Sequence, residues 1–92
     1  MLKPNISKQA TKFLQRLTEK YRRQLSIKVV ELCKNPMPQD SKKLVGKKAY
    51  LGYYRADAGE FRIIYRVVND VLEVPLIGRR NDGDIYKKFE RA

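Results

Sequence analysis

An α+β fold, with an N-terminal helical hairpin packed on a small antiparallel β-sheet, is predicted by three features of this 92-residue sequence. Apolar residues recur at helical spacing through the first third, a proline-rich break then stops helix growth, and from about residue 50 the apolar period changes to two. Segments of these two kinds bury their faces most readily by packing helices on one side of a sheet.

Ser7 is placed to cap a first helix whose Ala10, Phe13, Leu14 and Leu17 share one face. A polar break at Thr18–Lys20 separates it from a second helix carrying Tyr21, Leu25, Val29, Leu32 and Cys33. Asn35-Pro36-Met37-Pro38 ends that helix, because proline has no amide donor and restricts the residue before it. Two helices in so short a span predict an antiparallel pair.

Three strands follow a loop through Lys48: Tyr50–Ala56, Glu60–Val68 and Val71–Ile77, all rich in Tyr, Ile, Val and Phe. Asp57-Ala58-Gly59 is expected to turn between the first two, and Asn69-Asp70 between the second and third. Pro75 marks an edge or a bulge in the last strand. Asp84–Ala92 reads as a short helix or a trailing strand, and Met1–Ile6 as an extra edge strand weakened by Pro4. In the middle strand Phe61, Ile63, Tyr65 and Val67 face the core, while Arg62, Ile64, Arg66 and Val68 face the other way. A guanidinium set among aliphatic side chains needs a carboxylate or a phosphate as partner.

The length fits one domain, residues 1–92, with a small core. No apolar run approaches the ~20 residues that span a bilayer and no signal-peptide pattern opens the chain, so a cytoplasmic protein without membrane contact is expected. There is no histidine, which removes Ser-His-Asp triads, His-pair nucleases and most zinc or iron sites. A single cysteine, Cys33, forms no internal disulfide and reads as a small buried hydrophobe. Any catalysis therefore runs on Lys, Arg, Tyr, Asp and Glu; no cofactor and no metal are expected. The formal charge of +11 points to a polyanionic partner, either nucleic acid or an acidic protein.

Four pieces of the sequence, in order, resemble the RelE/ParE superfamily of type II toxin–antitoxin toxins, and within it the RelE-like mRNA endonucleases. They are Lys43-Leu44-Val45-Gly46; Tyr53-Tyr54-Arg55 followed by Gly59-Glu60-Phe61-Arg62-Ile63-Ile64-Tyr65; Ile77-Gly78-Arg79-Arg80; and Asp84-Ile85-Tyr86. Together they cover roughly half of the chain, and their shared order and spacing carry the likeness where each alone is weak. The helical half agrees only in layout.

The resemblance implies a toxin that enters the ribosomal A site and cuts mRNA without metal, the ribose 2′-hydroxyl attacking the neighbouring phosphate. It implies a cognate antitoxin, ribosomal RNA and mRNA as partners. By the same likeness Arg62 contacts phosphate, Arg80 stabilises the transition state or protonates the leaving group, and Tyr86 stacks on a base or helps in proton transfer. RelE-type members carry two lysines, two residues apart, on the first hairpin strand. An alignment with a turn two residues longer sets Leu51 and Tyr53 there, leaving Lys47, Lys48 and Tyr53 as candidate sources of charge or a base. Arg55, Arg66 and Arg79 complete the expected RNA contacts.

Bland readings stand beside these. Arg62 and Arg66 can pair with Asp57, Glu60 or Glu73; Arg79-Arg80 can be a solvated strand end; Tyr86 can anchor the C-terminal segment; Lys47 and Lys48 can be loop charges. Residues 1–34 hold nine Lys plus Arg against two Glu. Lys8, Lys12, Arg16 and Lys20 recur every four residues as a stripe, read here as a track for ribosomal RNA or a solvated face. Two other functions stay open: a ParE-like poison of DNA gyrase, and a non-catalytic RNA- or protein-binding module of the same fold.

Overall fold

The computed structural model describes residues 1–81 and 83–91. Asp82, Ala92 and the side chains of Asp84 and Arg91 lie outside the described residues, so the expected Asp84–Ala92 segment is followed to Arg91 only.

The chain opens with β1 (Lys3–Ile6), followed by α1 (Lys8–Gln15) and α2 (Glu19–Lys34). Ser7 joins strand to helix: its hydroxyl accepts from the Ala10 amide at 3.0 Å and donates to the Pro75 carbonyl at 2.6 Å. One side chain thus caps α1 and ties it to the sheet. Helix α1 ends at Gln15, where Arg16 folds back on the Phe13 carbonyl and Thr18 starts α2 from an extended backbone. That break interrupts the expected basic stripe: Lys8 and Lys12 lie on α1, Arg16 at its end and Lys20 on a separate helix.

After α2 come β2 (Lys42–Lys43), a 3₁₀ turn over Lys48–Tyr50, β3 (Tyr54–Ala58), β4 (Phe61–Val68), β5 (Val71–Arg79) and α3 (Asp84–Arg91). The sheet order is β1-β5-β4-β3-β2. Strands β3, β4 and β5 pair antiparallel as expected; β2, inside the stretch read as a loop, adds antiparallel to β3, and β1 runs parallel to β5, so the sheet is mixed. Pro4 is tolerated because β1 is an edge strand with one partner.

Four strand boundaries differ from the sequence reading: β4 starts at Phe61 rather than Glu60, β5 runs on past Ile77 to Arg79, and both ends of β3 move. Tyr50 is taken into the 3₁₀ turn, and Gly52, at φ +84, redirects the chain before β3 begins. Asp57 and Ala58 are strand residues, and the β3–β4 turn consists of Gly59-Glu60 alone. Gly59 has φ +61, the backbone a two-residue hairpin asks of its first turn position, and a Cβ there would also collide with the Gln24 amide. Asn69, at φ 55, opens the β4–β5 turn predicted at Asn69-Asp70. Pro75 sits where the register slips between Ile64 and Arg66, a bulge in a paired strand.

The sheet is covered on both faces. Helices α1 and α2 bury Leu25, Leu32, Phe61, Ile63, Tyr65 and Leu72 on one side. Phe61 meets Phe13 and Tyr21 edge-on, with ring centroids 5.9 and 5.2 Å away. Cys33 is buried in this core, and burial raises its thiol pKa. Tyr65 donates to the Pro36 carbonyl at 2.6 Å, fixing the exit from α2. Val67 lies beyond the bulge and is partly exposed rather than core.

Helix α3 covers the opposite face, where Ile85 and Phe89 join Leu44, Tyr50, Ile64 and Leu76 in a second core. Gly78 permits this approach, since a Cβ there would stand 3.0 Å from the Ile85 side chain. No described helix is long and apolar enough to cross a membrane.

Candidate active site

The short turn between β3 and β4 sets the geometry of the site. With Gly59-Glu60 as the whole turn, Asp57 lies directly opposite Arg62. Their side chains point away from the first core, as alternation along β4 requires. Arg62 Nε donates to Asp57 Oδ1 at 2.8 Å, and Nη2 lies 3.4 Å from Oδ2. On its other side Arg62 Nη1 donates to the Tyr86 hydroxyl oxygen at 2.7 Å. This contact exists because α3 crosses β5 at Gly78 and carries Tyr86 over β4.

Arg80 closes the group from the end of β5. Its amide donates to the Glu60 carbonyl at 2.9 Å and its Nη1 to the Gly59 carbonyl at 3.3 Å. The β3–β4 turn thus positions it, with Nε 4.0 Å from Asp57 Oδ2. About half of the Arg80 side chain is exposed, against 14% for Arg62. Arg62 is therefore the fixed member of the pair and Arg80 the one with donors free for a ligand.

Burial alone would raise the Asp57 pKa, but the hydrogen bond and charge of Arg62, with the charges of Arg80 and Arg55, hold it below its ordinary value. Asp57 raises the Arg62 pKa in turn, so both remain ionised at neutral pH.

Beside this group runs an open groove of about 470 Å³ lined by Lys42, Lys43, Tyr50, Arg55 and Tyr86 among others. Basic heads beside the half-buried Tyr86 ring suit a single-stranded nucleic acid, the cations meeting phosphates and that ring meeting a base, while the buried Tyr50 ring is stacked on Phe89. The 3₁₀ turn and α3 are clamped together at its edge. Glu90 accepts from Tyr50 Oη and from Lys47 Nζ, each at 2.8 Å. Those bonds, Lys47 first, keep the Glu90 carboxyl below its ordinary range.

Arg62, Arg80 and Tyr86 are therefore brought together, with Arg55 adjacent. Other residues expected at the site are placed elsewhere. Arg66 bonds Glu73 at 2.6 Å and lies over the Tyr53 ring at 4.9 Å, four residues along β4 from Arg62, or about 13 Å. Arg79 turns to the other face, pairing with Glu60 and covering the Phe61 ring at 5.3 Å. Lys47 is held by Glu90, and Lys48 is exposed on the 3₁₀ turn. Lys12 and Arg16 are exposed on and just after α1, away from the groove lining.

The β3–β4 turn holds two residues, Gly59 and Glu60. Leu51 precedes β3 and is 77% exposed, and the two β3 residues spaced by two on the Arg62 face are Arg55 and Asp57. From the sequence alone Asp57 reads as a turn residue and not as part of a site. Its one signal is its spacing from Arg62, which becomes a cross-strand pair once Gly59-Glu60 is taken as the turn. Among the described residues no three His, Cys, Asp or Glu side chains gather as a potential metal site.

Residues 5–83 match a family model described as the ParE toxin of the type II toxin–antitoxin system parDE. The fold is similar to an archaeal RelE–RelB complex from Pyrococcus horikoshii, at 28% identity and TM-score 0.74, covering 89% of this chain and 98% of that one. It is also similar to the isolated RelE toxin of E. coli, at 22% identity and TM-score 0.71 over 99% and 97% of the two chains. The RelBE2 toxin–antitoxin complex of Mycobacterium tuberculosis matches at 17% identity and TM-score 0.74, over 86% and 98%. No curated protein matches the chain in sequence. The family model spans most of the chain, and the chain therefore belongs to the ParE toxin family, within the RelE/ParE superfamily of type II toxin–antitoxin toxins.

Proposed function

We propose that this toxin is a metal-independent endoribonuclease that cuts mRNA in the ribosomal A site through attack by the ribose 2′-hydroxyl. The observation that carries the reading is the convergence of Arg62, Arg80 and Tyr86, from β4, the end of β5 and α3, beside a basic, aromatic groove. Such a reaction needs cations around a pentacoordinate phosphorane and a proton for the leaving 5′-oxygen. Arg80 has free donors that match phosphate oxygens, and Arg62 keeps N–H groups unused by Asp57 and Tyr86. The Tyr86 oxygen accepts from Arg62, which leaves its own hydrogen free to donate.

A cognate antitoxin is the second proposed partner. The net charge of +11 favours an acidic, amphipathic segment, and two of the similar structures described above are RelE–RelB-type complexes. The match to the ParE family model favours one other reading, a DNA gyrase poison of the same fold.

The test is a cleavage map on ribosomes programmed with an empty, defined A-site codon, read by primer extension, with a supercoiling assay in parallel. A cut inside the codon that disappears in Arg80→Ala is expected. Intact mRNA together with blocked supercoiling would move the protein to the gyrase reading.

A further inference from the structure

We infer that Asp57 is the general base of the cleavage step, accepting the proton of the attacking 2′-hydroxyl. The inference rests on the ribonuclease reading above and names a reactant that reading leaves open. Lysine and tyrosine hold their protons at neutral pH unless strongly perturbed, and they accept none until they lose them. Lys47 is further committed to Glu90, and Tyr53 lies under Arg66, away from Arg62 and Arg80. Asp57 is the only carboxylate among the described side chains that reaches both Arg62 and Arg80, at 2.8 and 4.0 Å.

Its place in the site fits the role. A phosphate held between the free N–H groups of Arg62 and Arg80 lies beside the Asp57 carboxylate. A ribose 2′-oxygen poised at about 3–3.5 Å from that phosphorus comes within reach of Oδ1 or Oδ2. Arg55, Arg62 and Arg80 together offset the repulsion between carboxylate and phosphate. The same arginines weaken Asp57 as a base in the free protein. A bound phosphate draws on their N–H groups and returns basicity to the carboxylate when substrate is present.

The step balances. The 2′-hydroxyl proton passes to Asp57, the 2′-oxygen forms a bond to phosphorus, and the P–O5′ bond breaks. The leaving 5′-oxygen takes the Tyr86 hydroxyl proton, giving a 2′,3′-cyclic phosphate and a 5′-hydroxyl. Proton return from Asp57 to Tyr86 through water resets the site.

The experiment is single-turnover cleavage of A-site mRNA by wild type, Asp57→Asn and Asp57→Ala, with formate added to the alanine variant and melting curves confirming that each is folded. Asn keeps an oxygen for Arg62 Nε but accepts no proton, so a loss of about 100-fold is expected. Formate should restore cleavage by Asp57→Ala in proportion to its concentration. If the wild type cuts and Asp57→Asn cuts within a few-fold of it, the base assignment falls while the ribonuclease reading stands. A slow Asp57→Asn with no formate response in Asp57→Ala makes Asp57 only the positioning partner of Arg62, and the assignment falls again. A wild type that leaves mRNA intact removes both.

Discussion

The Arg62 guanidinium donates to the Tyr86 hydroxyl at 2.7 Å while Asp57 holds its other edge at 2.8 Å, so strand β4 and helix α3 share one side chain at the candidate active site. That bond joins the C-terminal helix to the group formed by Asp57, Arg62 and Arg80. It also leaves the Tyr86 hydrogen free to be donated to another group.

Tyr86→Phe keeps the ring and its packing on the second core and removes only the oxygen. Folding stability should fall by about 0.5–1.5 kcal/mol, the usual net value of one such hydrogen bond. Cleavage should fall far more, by about 100-fold, if the hydroxyl supplies the leaving-group proton. Near-normal cleavage in a single-turnover assay would reduce Tyr86 to a stacking surface.

Arg80→Ala and Arg62→Ala should separate chemistry from stability. Arg80 is half-exposed and its loss leaves the fold nearly intact, whereas Arg62→Ala strips the half-buried Asp57 of its main partner. Melting should therefore show a larger drop for Arg62→Ala, about 1–3 kcal/mol. Single-turnover rates should show the larger loss for Arg80→Ala, about 2.7–4 kcal/mol of transition-state stabilisation. Equal rates for the two variants would count against Arg80 as the main phosphorane cation.

Acid should weaken the fold through Asp57. Its folded pKa lies below the ordinary value of 3.8, so its contribution is complete above that value and fades as pH falls through the folded pKa. Melting temperatures measured from pH 6 down to pH 2 should fall less steeply for Asp57→Asn than for the wild type at the acid end. Parallel curves would show that Asp57 titrates alike in the folded and unfolded chains.

Tyr65→Phe removes the bond that ties β4 to the Pro36 carbonyl. Because that carbonyl then loses its partner next to the core, a cost of about 1–2 kcal/mol in urea unfolding is expected. Activity should be unchanged, since Tyr65 faces the α1 and α2 side. A variant as stable as the wild type would mean that water replaces the hydroxyl.

Charge reversal of Lys12 and Arg16 to Glu tests whether the helical face docks on ribosomal RNA. Ribosome affinity should weaken and its salt dependence flatten, with the cleavage step itself unaltered once bound. Identical affinity across a salt series would leave that face merely solvated.

Most of the fold was legible in the chain. The helical spacing of Leu25, Val29 and Leu32, the stop at Pro36 and the alternation of Phe61, Ile63 and Tyr65 each report local burial, and local burial writes a period into sequence. Arg62, Arg80 and Tyr86 were singled out by the family resemblance, not by any periodicity of the chain. Harder to read was the exact end of β3, because Asp57-Ala58-Gly59 and Gly59-Glu60 are both plausible turns and only pairing against β4 chooses between them.

By itself, the sequence determined the two N-terminal helices, the three central strands, the surplus of positive charge and the absence of any histidine to carry catalysis. The tertiary structure alone decided the parallel edge strand, the burial of the second sheet face under α3, and which charges meet. Pairing between β3 and β4 sets Asp57 on Arg62, and the missing Cβ of Gly78 lets Ile85 close on β5 and bring Tyr86 to the same guanidinium. Arg66 and Arg79, alike in sequence, are drawn off to Glu73 and Glu60 by the same pairing. Which arginine is free to hold a phosphate depends on which carboxylate stands across the strand, and cross-strand neighbours are set by register over distance rather than by any local pattern.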